Sequence, residues 1–216
     1  MKKAVIFDMD GTVLYTLGDI VSCMNKALLK NGLPEIEEEV IRVHIGNGIY
    51  NEVRHSVPEG TDEETIARVH QDFKAFYAAC SFAETKPYDG IIDLLHWLKE
   101  QDILIAIVSN KGDFALRELN RIYFASLWDA ESGERDGIAR KPAPDMVLAV
   151  LDELGVEVGD AVYVGDSEVD HATAMNCGMD CILVSYGYRT REFLASLGGF
   201  PIVESVDELK KALGQR

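Results

Sequence analysis

Two aspartates stand two residues apart in Phe7-Asp8-Met9-Asp10-Gly11-Thr12. Side chains of an extended strand repeat with period two, so near-extended backbone turns both carboxylates toward one cleft. A second acidic group follows far along the chain, in Val164-Gly165-Asp166-Ser167-Glu168-Val169-Asp170. Asp166 and Asp170 are four apart, and a helix beginning near Ser167 would face both the same way. Gathered carboxylates are costly without a cation. A hard divalent ion bound by oxygens, such as magnesium, relieves that cost, and Asp8, Asp10 and Asp166 are its expected carboxylate contacts. Both motifs also have a plainer use, since an acid before Gly makes a turn and an acid at a helix start favours the dipole by about 0.3–1 kcal/mol.

Hydroxyls and cations complete the set. Ser109-Asn110-Lys111 follows a strongly apolar run, and Arg140-Lys141-Pro142-Ala143-Pro144-Asp145 precedes a helical pattern. A hydroxyl and exposed amides at a strand-to-helix turn hold phosphate oxygens. Lys141 adds a point charge on a stem flanked by stiff prolines. Taken singly, Ser109 also reads as a helix cap and Lys141 as a solvated surface lysine.

The elements that must position these residues alternate. Apolar runs at Ala4-Val5-Ile6-Phe7, Ile103 to Val108, Ala161 to Val164 and Cys181 to Val184 read as buried parallel strands. Helical patterns fall between them, at about 90–100, 113–122, 144–154 and 168–176. The expected fold is therefore α/β, a Rossmann-like parallel sheet covered on both faces. Residues from about Thr16 to Lys86 break the alternation with helical patterns over Asp19–Lys30, Ile36–His44, Asn47–His55 and Asp62–Cys80. This defines an α/β catalytic core of residues 1–15 and 87–216 with an inserted all-helical cap of residues 16–86. An insertion after the first strand sits at that strand's C-terminal end, where open α/β sheets bind ligands, and is placed to act as a lid.

Composition narrows the partners. The 216 residues carry 37 acids against 21 bases, a formal charge of -16, which repels nucleic acid and anionic membrane surfaces. A small anion is still acceptable, because a few cations and one metal in a cleft outweigh the distant field. Cys23, Cys80, Cys177 and Cys181 form no CxxC pair and read as thiols in a reducing compartment. With no basic, apolar leader and no apolar run approaching 18 residues, the expected location is the cytoplasm.

The ordered motifs resemble those of the haloacid dehalogenase superfamily, specifically its phosphatases with a helical cap inserted after the first motif. The matching residues are Asp8 to Thr12, Ser109, Lys141, and Gly165 to Asp170, the last with one residue fewer between Ser and Asp; the set spans about 160 residues. Within the superfamily the chain is most similar to phosphoglycolate phosphatases, through Ile45-Gly46-Asn47-Gly48 and Arg140 to Asp145, while Tyr15 and Gly112 depart from the commoner pattern.

The resemblance implies a magnesium-dependent phosphatase acting on a small phosphorylated metabolite, with 2-phosphoglycolate as the expected substrate. Asp8 would be the nucleophile that carries the phosphoryl group, Asp10 the acid and base, and Ser109 and Lys141 the neutralising groups. Asp8, Asp10, Asp166 and Asp170 would serve the metal, with Asp170 alternatively orienting Lys141. Gly11, Thr12 and Asn110 would contact the phosphate, and Asn47 and Gly48 the rest of the substrate, with Arg54 or His44 as further cap candidates. A monomer or homodimer is expected. Sugar-phosphate mutase, pyrophosphatase and dehalogenase are rivals within the superfamily. A signalling receiver is the rival from another class, disfavoured because receivers are about half this length and place their acceptor Asp on a middle strand.

Overall fold

The computed structural model describes residues 2–80, 82–125 and 127–215. The chain enters the sheet on β1 (Ala4–Phe7). A short strand β2 (Leu14–Tyr15) then leads into four helices, α1 (Leu17–Lys30), α2 (Glu38–Arg42), α3 (Ile49–Ser56) and α4 (Glu63–Ala78). The chain leaves them on β3 (Lys86–Pro87), which pairs antiparallel with β2. Alternation then begins: α5 (Ile91–Glu100), β4 (Leu104–Gly112), α6 (Asp113–Tyr123), β5 (Ala130–Glu134), α7 (Asp145–Leu154), β6 (Ala161–Gly165), α8 (Glu168–Cys177), β7 (Asp180–Val184), α9 (Arg191–Leu197), β8 (Ile202–Val203) and α10 (Val206–Gly214).

The main sheet has the order β5-β4-β1-β6-β7-β8 and every pairing in it is parallel, as the apolar runs predict. Ala4 of β1 registers with Leu104 on one side and Ala161 on the other. Both faces are buried, which explains why the strands read as continuous apolar runs. Val5, Phe7, Ile105, Ile107, Val162 and Val164 join one core, shared with α5, α6 and the α1–α4 helices. Ala4, Ile6, Ala106, Val108 and Tyr163 face the other, beneath α7 and α8. Because β1 is flanked by β4 and β6, the strand order reverses beside it, and open α/β sheets bind ligands at such a switch point.

Some elements escape the sequence pattern. β5 is Ala-Glu-Ser-Gly-Glu, whose composition disfavours a strand, and it forms because β4 offers an edge to pair with. Helix α3 starts at Ile49 rather than Asn47, since Gly48 sits at φ 85, outside the helical region. Strand β4 runs past the predicted Val108 to Gly112, with a register shift between those two residues. Among the described residues no helix is long and apolar enough to cross a membrane.

Candidate active site

The first acidic motif leaves the sheet at the end of β1, where the Asp8 amide still donates to Val164 O at 2.9 Å. The chain then folds tightly: the amides of Thr12, Val13 and Leu14 all donate to Met9 O. Gly11 sits at φ 87, and a Cβ there would stand 2.3 Å from Asp166 Oδ2. Only glycine satisfies both demands. The second acidic motif leaves the neighbouring strand β6. Ser167 is the N-cap of α8 and forms a capping box with Asp170, so the plain structural use of this acid is also realised.

Asp8, Asp166 and Asp170 meet: one carboxylate oxygen from each lies within 4.8 Å of the others, and all three residues are buried. Lys141 Nζ enters this group, 2.8 Å from both Asp8 Oδ1 and Asp170 Oδ1 and 3.0 Å from the Tyr163 hydroxyl. Asp170 is saturated, because its Oδ2 also accepts from the Ser167 hydroxyl at 2.6 Å and from the Asp166 and Ser167 amides. Asp166 accepts from the Tyr188 amide at 2.6 Å and from Thr12 Oγ1 at 3.3 Å. Thus Gly11 and Thr12 pack on Asp166, and Asp170 holds Lys141 in place.

Burial pushes the Asp8 carboxyl up to about 7 against the pull of Lys141, and burial with the nearby Asp170 and Asp8 raises Asp166 well above the usual carboxylate range. Burial would lower Lys141, but the Asp170 and Asp8 carboxylates hold it above its ordinary value, so it stays charged. When all three are ionised, three carboxylates against one ammonium leave two negative charges uncompensated, a divalent cation's worth. Asp8 Oδ1 is buried and, despite the nearby ammonium, accepts no hydrogen bond of good geometry. An all-oxygen donor set with such an atom fits a hard divalent metal.

Asp10 departs from expectation. The sequence counts it with the metal contacts, yet its carboxylate lies outside the gathered three. Lys111 Nζ binds both of its oxygens, at 2.8 and 3.0 Å, and Thr16 Oγ1 donates to Oδ1 at 2.6 Å. Thr16 is the N-cap of α1, but its hydroxyl serves Asp10 in place of capping the helix. Ser109 is buried and its hydroxyl accepts from the Lys111 amide at 3.2 Å. Asn110 cross-links the site, donating to Lys141 O at 2.9 Å and Gly46 O at 2.8 Å and accepting from the Lys141 amide.

The cap candidates fare differently from the core ones. Asn47 Nδ2 donates weakly within its own loop, to His44 O at 3.4 Å, and the loop meets Asn110 through Gly46. A Cβ on Gly48 would stand 2.2 Å from an Arg140 nitrogen, so this glycine is a close-approach point between the loop and the Arg140 segment. Arg54 pairs on the surface with Glu63, and His44 stacks on His55 at 4.0 Å. Three buried groups that the motifs do not single out lie near the site: Lys111 and Glu52 beside Asp10, and Arg189. Arg189 binds Glu168 and donates to the carbonyls of Arg42, Val43 and Ile45. Lys111 shares strand parity with Ser109, which was the available signal; Glu52 and Arg189 are visible only once separate elements pack.

A family model described as haloacid dehalogenase-like hydrolase matches residues 5–184. A phosphoglycolate phosphatase of Rhodospirillum rubrum is 34% identical, covering 99% of this chain and 92% of its own length. An N-acetylmuramic acid 6-phosphate phosphatase of Pseudomonas aeruginosa is 27% identical over 98% of this chain and 96% of its own. A crystal structure from Lactobacillus delbrueckii subsp. bulgaricus superposes with a TM-score of 0.92 at 35% identity, covering 98% of each chain.

Proposed function

The chain belongs to the haloacid dehalogenase-like hydrolases and is a phosphoric monoester hydrolase, and on that premise we propose that it hydrolyses 2-phosphoglycolate through an aspartyl-phosphate on Asp8. The observation that carries this reading is the buried meeting of Asp8, Asp166 and Lys141 at the switch point of the sheet. Residues 1–15 and 87–216 form the catalytic core, and the helices of residues 16–86 cover it as a cap. Asp8 and Asp166 would hold magnesium, with Asp170 acting through Lys141. When bound, the ion neutralises charge on the transferring phosphoryl group. The four cysteines form no disulfide with one another, which fits work in the cytoplasm.

In the first step an Asp8 oxygen forms a bond to phosphorus as the bond from phosphorus to the ester oxygen breaks. Asp10 gives its proton to that leaving oxygen. In the second step water attacks the aspartyl-phosphate, Asp10 takes the water's proton, and Asp8 returns as a carboxylate with inorganic phosphate released. Lys141 faces the developing charge from a position fixed by Asp170 and Tyr163.

The test is phosphate release from 2-phosphoglycolate beside hexose phosphates, phosphoserine and pyrophosphate, with magnesium and with chelator. Magnesium-dependent preference for 2-phosphoglycolate is the expected result. Equal rates with chelator contradict the metal assignment, and preference for a sugar phosphate contradicts the substrate.

A further inference from the structure

Lys111 is the buried cation that the phosphoryl chemistry leaves without a task. It is 8% exposed, and two of its three N–H donors are taken by the two oxygens of Asp10. Its Nζ also stands 4.8 Å from the centroid of the Tyr77 ring, on α4 of the helical cap. The Tyr77 hydroxyl feels the Lys111 charge yet finds no hydrogen-bond partner of proper geometry, although it is buried. An unpaired buried hydroxyl costs about 1–3 kcal/mol and persists where a ligand completes it.

Both side chains line one small cavity of about 30 Å³, with Asp10 and Glu52 as its other acids and Ile20, Ile49 and Phe73 among its apolar walls. By the measure in which a water needs about 10–15 Å³, this holds a group of two or three heavy atoms. Ile49, Phe73, Tyr77 and Gly112 also border a groove of about 660 Å³ between the α3–α4 helices and the residues around Arg140, which gives the cavity an approach from solvent.

We propose that Lys111 and the Tyr77 hydroxyl bind a carboxylate on the leaving part of the substrate, one carbon from the ester oxygen, and so set the enzyme's preference for small acidic esters. This rests on the 2-phosphoglycolate reading and names the groups that would recognise it. The cavity is lined by both Asp10, the proton donor to the leaving oxygen, and Lys111, and a carboxylate one carbon from that oxygen is the size of group it holds. The Lys111 ammonium, which lies against the Tyr77 side chain, and the Tyr77 O–H are the two donors offered. Burial pushes the Glu52 carboxyl up to about 7, so near neutrality much of it is an uncharged donor in place of a competing anion. A sugar ring exceeds the cavity and would have to lie in the groove, away from both donors.

The experiment compares kcat/KM for 2-phosphoglycolate with that for ethyl phosphate, whose tail has the same length and no charge, in the wild type and in Lys111→Met and Tyr77→Phe. The ratio cancels general losses from disturbing Asp10 or from partial unfolding. The expected wild-type ratio favours the acid, falling about 30-fold or more in Lys111→Met and roughly 2- to 10-fold in Tyr77→Phe, with Lys111→Arg recovering part of it. A wild-type preference that survives both variants overturns this proposal and leaves the substrate reading standing. A wild type that cleaves hexose phosphates but not 2-phosphoglycolate overturns that reading, and one with no preference for any anionic tail overturns both.

Discussion

The two ends of the site are built differently. At the phosphoryl end, Asp8 and Asp166 leave the neighbouring strands β1 and β6, Asp170 sits in the first turn of α8 and Lys141 precedes α7, and all four are fixed by backbone amides, a capping box and mutual ion pairs. At the end proposed to face the leaving group, Asp10, Lys111, Glu52 and Tyr77 come from the first loop, β4 and two helices of the cap, and meet mainly through their side chains. The contrast teaches where each property resides. Chemistry that must not vary is written into the sheet, and selectivity that must match one ester is written where two layers of the molecule meet.

The largest blow to the first region should come from Lys141→Met. It leaves Asp8 and Asp170 buried without their ammonium, and kcat should fall about 10²–10³-fold for acidic and neutral esters alike. Steady-state kinetics on both ester types checks this, and a loss confined to one type would erase the division between the ends. Arg189→Ala probes what joins the regions, since this arginine ties Glu168 of α8 to three carbonyls at the end of α2 and just beyond it. Stability should fall by about 2 kcal/mol and Tm by roughly 4–8 °C, with KM raised for every ester; calorimetry and kinetics read the two effects.

Glu52→Gln gives the most selective effect, through pH. The folded-state pKa of Glu52 is about 7, raised from 4.5 by burial. Its contribution is therefore fully present below the unfolded value and lost as pH rises through the folded one. Between about pH 4.5 and 7 the wild type should lose up to about 3 kcal/mol relative to the variant. Urea midpoints of both proteins at pH 5 and pH 8 measure that gap; an unchanged gap would mean that the Glu52 carboxyl is not buried in an uncharged form.

Legibility in the sequence follows the same division. The parallel sheet was readable because both of its faces are buried, so β1, β4, β6 and β7 appear as unbroken apolar runs. Asp8 and Asp166 were readable because each follows such a run at a turn, Asp170 because it stands four residues beyond Asp166 at a helix start, and Lys141 because it precedes a helical pattern beside stiff prolines. The direction of the Asp10 carboxylate was not, since period two at a strand end gives a face, and the Lys111 ammonium that draws it away lies 101 residues further on. The partners of Lys111 on the cap, Tyr77 and Glu52, sit in ordinary amphipathic helices, where a buried tyrosine or glutamate has no local signature. Gly46 was legible as a break, and that its carbonyl receives Asn110 required the packed structure.

The central claim is that Asp8 carries the phosphoryl group. Rapid-quench of the Asp10→Asn variant with radiolabelled 2-phosphoglycolate and magnesium, followed by peptide mapping, tests it most directly. The account predicts a hydroxylamine-sensitive phosphorylated peptide that contains Asp8 and is missing when Asp8 is also changed to Asn. Turnover by Asp8→Asn, or label on any other residue, would contradict it.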